Sequence, residues 1–478
     1  MPGTTSWPKD EHLGQWSRGE VPGTVDRSRT ISAHPVATEG SPTRLSSGMV
    51  QVIPMRTFAL SPLSFGPLWL VMFALSLRGD FQGSTHLLPY DEDLLGYTKS
   101  ADAGPIARLQ ERLDRGEITL TRDDRFGYLP AILRELGIST SSQMLVFSKT
   151  SFQRDRISPH NPRALYFNDS AYVGYIPGAD LLEFTSVDPR IGAVFYTLDQ
   201  ATTDRPRFVR TDNCTECHAS AKTMGIPGHL VRSFQTDESG RVDLLTGVDP
   251  INHRTPLEKR WGGWFVTGTH GDQPHRGNLV GKAAFARQES EPNHVGNLTS
   301  LERFFDPARF PAPGSDIVAL MVMEHQTHGQ NFLTRVAYEA RLQLGAYGHV
   351  NYLKTATEAL VKYLLLAEEL PLTAPVQGDP AFVRDFTARG PRDPKGRSLR
   401  DLDLQTRLFK YPCSYLIQTE PFLQLPDPLR ERVYRRMYEV LSGADTSPTW
   451  SRLSASDRTA ILEILRATQK DLPKDWFP

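Results

Sequence analysis

Between residues 144 and 200 the hydrophobic residues change their period, and this constrains the architecture more than any other feature of the chain. Upstream, "GPIARLQERLDRG" places Ile106, Leu109 and Leu113 at helical spacing. "YLPAILRELG" ends on Gly137, a C-cap candidate. Then "QMLVFSKTSF", "RALYFND", "AYVGYIP", "LLEFTSV" and "GAVFYTL" follow as short aromatic and β-branched runs punctuated by Pro, Gly, Asn and Asp, which predicts strands. "HLVRSF" and "WGGWFVTGT" predict two more. Helical periodicity returns at "SDIVALMVMEHQTHGQNFLTRVAYEARLQL", residues 315–344, with Ser315 as N-cap candidate. "ATEALVKYLLLAEEL" (356–370), "DPLRERVYRRMYEVL" and "SASDRTAILEIL" continue it, the last with Ser454 and Asp457 in capping-box spacing. The stretch 389–403, rich in Gly, Pro, Arg and Asp, reads as an exposed loop. The expected class is α+β, with a β-rich segment over 86–290 and a mainly helical region over 295–478 packing on it.

The chain has three cysteines among its 478 residues, and two of them stand in "TDNCTECHAS". Cys214, Cys217 and His218 form C-x-x-C-H, the pattern in which two thiols bond haem vinyl groups and the adjacent imidazole takes the iron. Two other chemistries use paired cysteines. A redox dithiol opens a helix after a strand in a βαβ unit, whereas "GIPG" here stops any helix early. A zinc site needs two further ligands; His270 and His275 in "THGDQPH" are spaced for it, but a finger leaves only about 12 to 15 residues between the halves. One covalent haem c is therefore the expected cofactor. Cys413, in the apolar "LFKYPCSYLI", reads as a buried, inert thiol.

Covalent haem attachment belongs outside the cytoplasm, so an export signal is expected. Residues 1–54 read as a disordered leader or a gene-start artefact, with translation starting at Met49 or Met55. In 55–77, Arg56 precedes the unbroken apolar run 68–75, and Ala74 and Ser76 suit a signal peptidase. The alternative is a membrane anchor through the 20 residues 58–77. Either places the mature protein in the periplasm or elsewhere outside the cytoplasm. The net charge of -1 gives no electrostatic case for nucleic acid.

At Cys214–His218 the chain resembles c-type cytochromes. The resemblance implies thioether attachment through Cys214 and Cys217 and axial ligation by His218. It covers five residues, and the strand-like "VFYTLDQ" upstream departs from the helix that leads into the motif in the plain all-α domain. As a whole the sequence looks like large secreted bacterial proteins with one such motif, a likeness that implies no defined substrate. Single-haem β-rich proteins similar to cytochrome P460 are the fold-level alternative.

Haem propionates call for cationic donors. Arg207 and Arg210 are the expected ones on proximity, with Lys149, Arg154, Arg156 and Arg163 a second group. Trp261 and Trp264 suit a packed core. For the sixth ligand, Met321, His325, His328 and Phe332 share one helical face, and His325 is expected to bind iron in preference to Met224. His160, His229, His253, His294 and His349 have nothing to raise them above ordinary histidines, and Glu324 or Asp272 could serve acid–base chemistry. These features predict an extracytoplasmic electron-transfer cytochrome, whose redox partner protein the residues do not encode. A haem-dependent redox enzyme with an open sixth site, peroxidase-like or oxygenating, and a zinc-stabilised binding protein are the alternatives.

Overall fold

The computed structural model describes residues 88–477 apart from 93, 202–204 and 249, so the leader and the apolar run 68–75 lie outside it. The strands predicted over 144–200, joined by one that was not predicted, form an antiparallel meander in chain order: β1 (Met144–Val146), β2 (Arg163–Phe167), β3 (Ala171–Tyr175), β4 (Leu181–Asp188), β5 (Gly192–Asp199) and the additional β6 (Phe208–Arg210). Before it come α1 (Pro105–Asp114) and α2 (Leu129–Leu136), the latter stopped by Gly137 at φ 64°. After it come α3 (Thr215–His218), the hairpin β7 (Ser233–Thr236) and β8 (Val242–Val248), and α4 (Lys282–Ser290). The helical half comprises α5 (Ile317–Tyr347), α6 (Lys354–Leu364), α7 (Pro380–Ala388), α8 (Glu420–Leu423), α9 (Asp427–Leu441) and α10 (Ala455–Thr468). The fold is α+β. No helix among the described residues is long and apolar enough to cross a membrane.

Strand alternation assigns the sheet two faces. Tyr166, Val173, Phe184, Val194 and Leu198 pack on Ile106 and Leu109 of α1 and on Leu129 and Ile132 of α2. Met144, Phe167, Tyr172 and Val187 share the other core with α5, α6, α9 and α10. That core takes side chains from both halves, so the described residues form a single packed body.

α5 is buried along most of its length, which is why its apolar residues do not confine themselves to one stripe. Its N-cap is Asp316, accepting from the Ala319 amide at 2.7 Å, rather than Ser315. Ser315 instead ties the helix start to the sheet, accepting from the Leu145 amide (2.9 Å) and donating to the Phe265 carbonyl (2.6 Å). Two other expectations change. "WGGWFVTGT" forms isolated bridges and no strand, because Trp261 (φ 67°) and Gly263 (φ 87°) adopt left-handed conformations that break the ladder. The 389–403 loop is not wholly exposed: Ser398 and Leu399 are fully buried, and the Asp393 carboxylate holds Arg397 at its edge.

Candidate haem-attachment site

β6 pairs with β5, Tyr196 opposite Arg210, and delivers the chain to a tight turn at Asp212–Cys214. The turn passes into α3, so Cys214 and Cys217 lie three residues apart on one helical turn, half-buried and exposed respectively, and neither is in a disulfide. The thiols therefore face a common side with open access. Burial and the Glu183 carboxylate push the Cys214 thiol up to about 11, against the pull of Arg163.

His218 closes α3 and is held by a reciprocal pair of bonds. The Gly228 amide donates to the His218 carbonyl at 2.8 Å, and His218 Nδ1 lies 2.9 Å from the Gly228 carbonyl oxygen. A carbonyl only accepts, so Nδ1 carries the proton and Nε2 keeps its lone pair. Histidines that bind metals are oriented in this way. Burial lowers the His218 pKa, only partly opposed by the Gly228 bond, which keeps the ring neutral.

The segment "MGIPG" makes that contact by folding back. Met224 (φ 61°) and Gly225 (φ 71°) are both left-handed, and Thr223 Oγ1 donates into the turn. α5 then clamps the returning strand: Asn331 accepts from the His229 amide at 2.7 Å and donates to its carbonyl at 2.6 Å. Residue 228 must be glycine, since a Cβ there would collide with Asn331 Oδ1.

Beside the motif, part of the sheet is left open. On the face that carries Phe195, against which the His218 ring packs at 4.9 Å, lie Leu165, Glu183, Thr185 and Thr197, all half-buried, with Val209 58% exposed. The partners on the opposite face are fully covered. Arg163 crosses β3 above Gly174 to meet Glu183 at 2.6 Å, and a Cβ on Gly174 would stand 2.6 Å from its guanidinium. Ser151 (2.9 Å) and Gln153 (3.1 Å) also donate to Glu183. Arg163, Glu183 and Arg232 all act electrostatically on His218. Paired thiols, an oriented imidazole and an uncovered surface of threonine and apolar side chains bordered by the Arg163–Glu183 ion pair suit a haem.

The expected flanking residues are placed differently. Arg207 is exposed and pairs with Asp114 at 3.4 Å. Arg210 gives its guanidinium to the carbonyls of Tyr97 and Ser100, both at 2.8 Å, and lies over the Tyr97 ring. Its donors are spent on holding the segment around Tyr97, while Arg163, closer to His218, is itself paired with Glu183. His325, the expected sixth ligand, lies in a fully buried cluster where Nε2 meets Ser414 Oγ at 2.7 Å and Nδ1 meets His253 Nδ1 at 3.0 Å. His328 Nε2 meets Arg254. Glu324 is paired with Arg260 and accepts from Trp261 Nε1 at 3.0 Å. His270 and His275 pack on each other at 4.5 Å, with His275 against Trp261, and not on the cysteines. Met224 packs its side chain on the main core.

Sequence reasoning missed Asn331 and His229. His229 is buried, packs on Tyr172 with the rings tilted at 45° and centroids 4.5 Å apart, interacts electrostatically with His218, and has no hydrogen-bond partner on either ring nitrogen. The proximity of His229 to the motif in sequence was its only signal. No protein-family model, curated protein or solved structure matches this chain.

Proposed function

We propose that the chain is an extracytoplasmic c-type cytochrome that binds one haem covalently through Cys214 and Cys217, with His218 as axial ligand, and transfers electrons. The observation that carries this reading is the His218–Gly228 lock, which protonates Nδ1 and reserves Nε2 for a metal. A haem so attached supplies one-electron exchange at its iron. The chain's own residues orient the ligand through Gly228 and Asn331, and the Arg163–Glu183 ion pair lies beside it.

The engagement of both His325 nitrogens favours, as the second reading, a haem whose sixth position exchanges ligands, and hence a haem-dependent redox enzyme. The test begins with protein matured in a periplasm with haem-attachment machinery. Wild type should keep a haem band through acid–acetone extraction, and Cys214→Ala with Cys217→Ala should lose it; acid-stable haem in the double variant would sink the assignment. Carbon monoxide then separates the readings, since a spectral shift in the reduced protein marks an exchangeable position. N-terminal sequencing should find the mature chain starting beyond residue 76, or the intact chain in the membrane fraction.

A further inference from the structure

Away from the cysteines, α6 and α9 border a cleft of about 1290 Å³. That exceeds the roughly 300–1,000 Å³ typical of small-molecule sites, so it has room for a ligand with several parts. Its cations are Arg254, Lys354, Lys362, Arg432, Arg435 and Arg436, and its carboxylates are Glu358, Glu368, Glu431 and Glu439. The excess is six against four, and the internal pairing sharpens it. Arg436 engages both Glu358 and Glu439, Arg254 faces Glu368 at 3.4 Å, and Arg432 donates to the Val350 carbonyl. Among the described residues Lys354, Lys362 and Arg435 make no ion pair, and of the four carboxylates Glu431, one turn before Arg435 on α9, makes none either, which leaves cations in excess. Lys354 and Lys362 share one face of α6, eight residues apart.

Two further features point to what the cations receive. No side chain caps the start of α6, so its positive end opens beside Lys354. Thr357, one turn in, lines the cleft with a hydroxyl that is buried (3% exposed) and has no hydrogen-bond partner. A buried hydroxyl without a partner is costly unless a ligand supplies one. His349 lines one end of the cleft and stacks on Tyr347 (6.0 Å, 20° between planes), and Tyr352 meets both rings at 5.3 and 5.5 Å, so the two tyrosines extend this ring surface outside the cleft lining. Tyr347 is 59% and Tyr352 69% exposed, so the aromatic group offers free ring surface to a planar ligand.

We propose that this cleft binds a nucleoside diphosphate, its base on the Tyr347–His349–Tyr352 group and its phosphates on Lys354, Lys362, Arg435 and Thr357. Pyrophosphate oxygens match the fixed cations and the orphan hydroxyl, and the base matches the rings. Neither half alone explains both ends of the cleft.

The test is calorimetric titration of the purified full chain with ADP, inorganic pyrophosphate and adenosine in turn. ADP should bind at least about tenfold more tightly than either fragment, a difference of about 1.4 kcal/mol. Lys362→Glu with Arg435→Glu should weaken ADP and pyrophosphate together by at least about tenfold. Tyr347→Ala with Tyr352→Ala should weaken ADP alone by a similar factor. ADP should also raise the thermal midpoint of the wild type, a readout that needs no variant to fold. Absence of ADP binding at millimolar concentration, or pyrophosphate binding as tightly as ADP, would overturn the proposal.

Discussion

His218 depends on a residue 113 positions away. Asn331 on α5 satisfies both main-chain groups of His229, and so fixes the peptide whose carbonyl orients the His218 ring. Asn331→Ala would leave a buried amide and a buried carbonyl unpaired, each costing about 1–3 kcal/mol. Urea unfolding of haem-free protein should therefore show a loss of about 2–5 kcal/mol. A midpoint within error of wild type would mean that the loop holds itself. The thiols and the imidazole were legible in the sequence because covalent chemistry restricts their order and spacing to a few adjacent residues. Asn331 was not, because a polar residue in a long helical pattern carries no mark of what it reaches across the fold. The same limit applies to His325: it does lie on an inward face, and its hydrogen-bond partners there are Ser414 and His253, both remote in sequence.

At the level of elements, period and punctuation served well where one element meets one partner. β2 to β5 fall within the runs read from alternation, and α9 coincides with its predicted segment. β6 and β8 escaped, since β6 has only three residues and β8 offers Leu244 and Leu245 to solvent. Sheet neighbours also impose constraints that no single strand displays. Gly174 reads as a weak point in β3, yet its missing side chain is what lets Arg163 reach Glu183. Gly174→Ala should push the guanidinium off that path and destabilise the protein by about 1–2 kcal/mol, despite alanine's better strand propensity. A double-mutant cycle with Arg163→Met is the check. The two losses should be non-additive by at least about 0.5 kcal/mol, and simple additivity would mean that the glycine serves something else.

For the whole molecule, the governing fact is how many histidines are buried without charge. Burial pushes His229, His275 and His325 down to about 3, holds His253 and His328 well below the ordinary value, and lowers His218 and His270. A histidine with a depressed folded pKa contributes stability above its unfolded value of about 6.5 and loses it as pH falls toward the folded value. Buried carboxyls act in the opposite sense. Burial raises Asp316 and Glu369 to about 7, so their contribution is present below their unfolded pKa and lost as pH rises through 7, and it also raises Asp102 and Glu324. On acidification from about pH 6.5 to 4.5 the buried histidines favour the unfolded chain and these carboxyls the folded one. The histidines outnumber them, so stability falls as the pH drops. Domains have about 5–15 kcal/mol in total, so the haem-free protein should unfold cooperatively between about pH 6 and pH 4. Circular dichroism against pH reads this directly, and His275→Gln should flatten the slope by about one proton even if it lowers the starting stability. A protein that keeps its near-ultraviolet signal to pH 4 would show that the histidines find proton acceptors on charging, and that the buried cluster of His253, His325 and His328 tolerates positive charge.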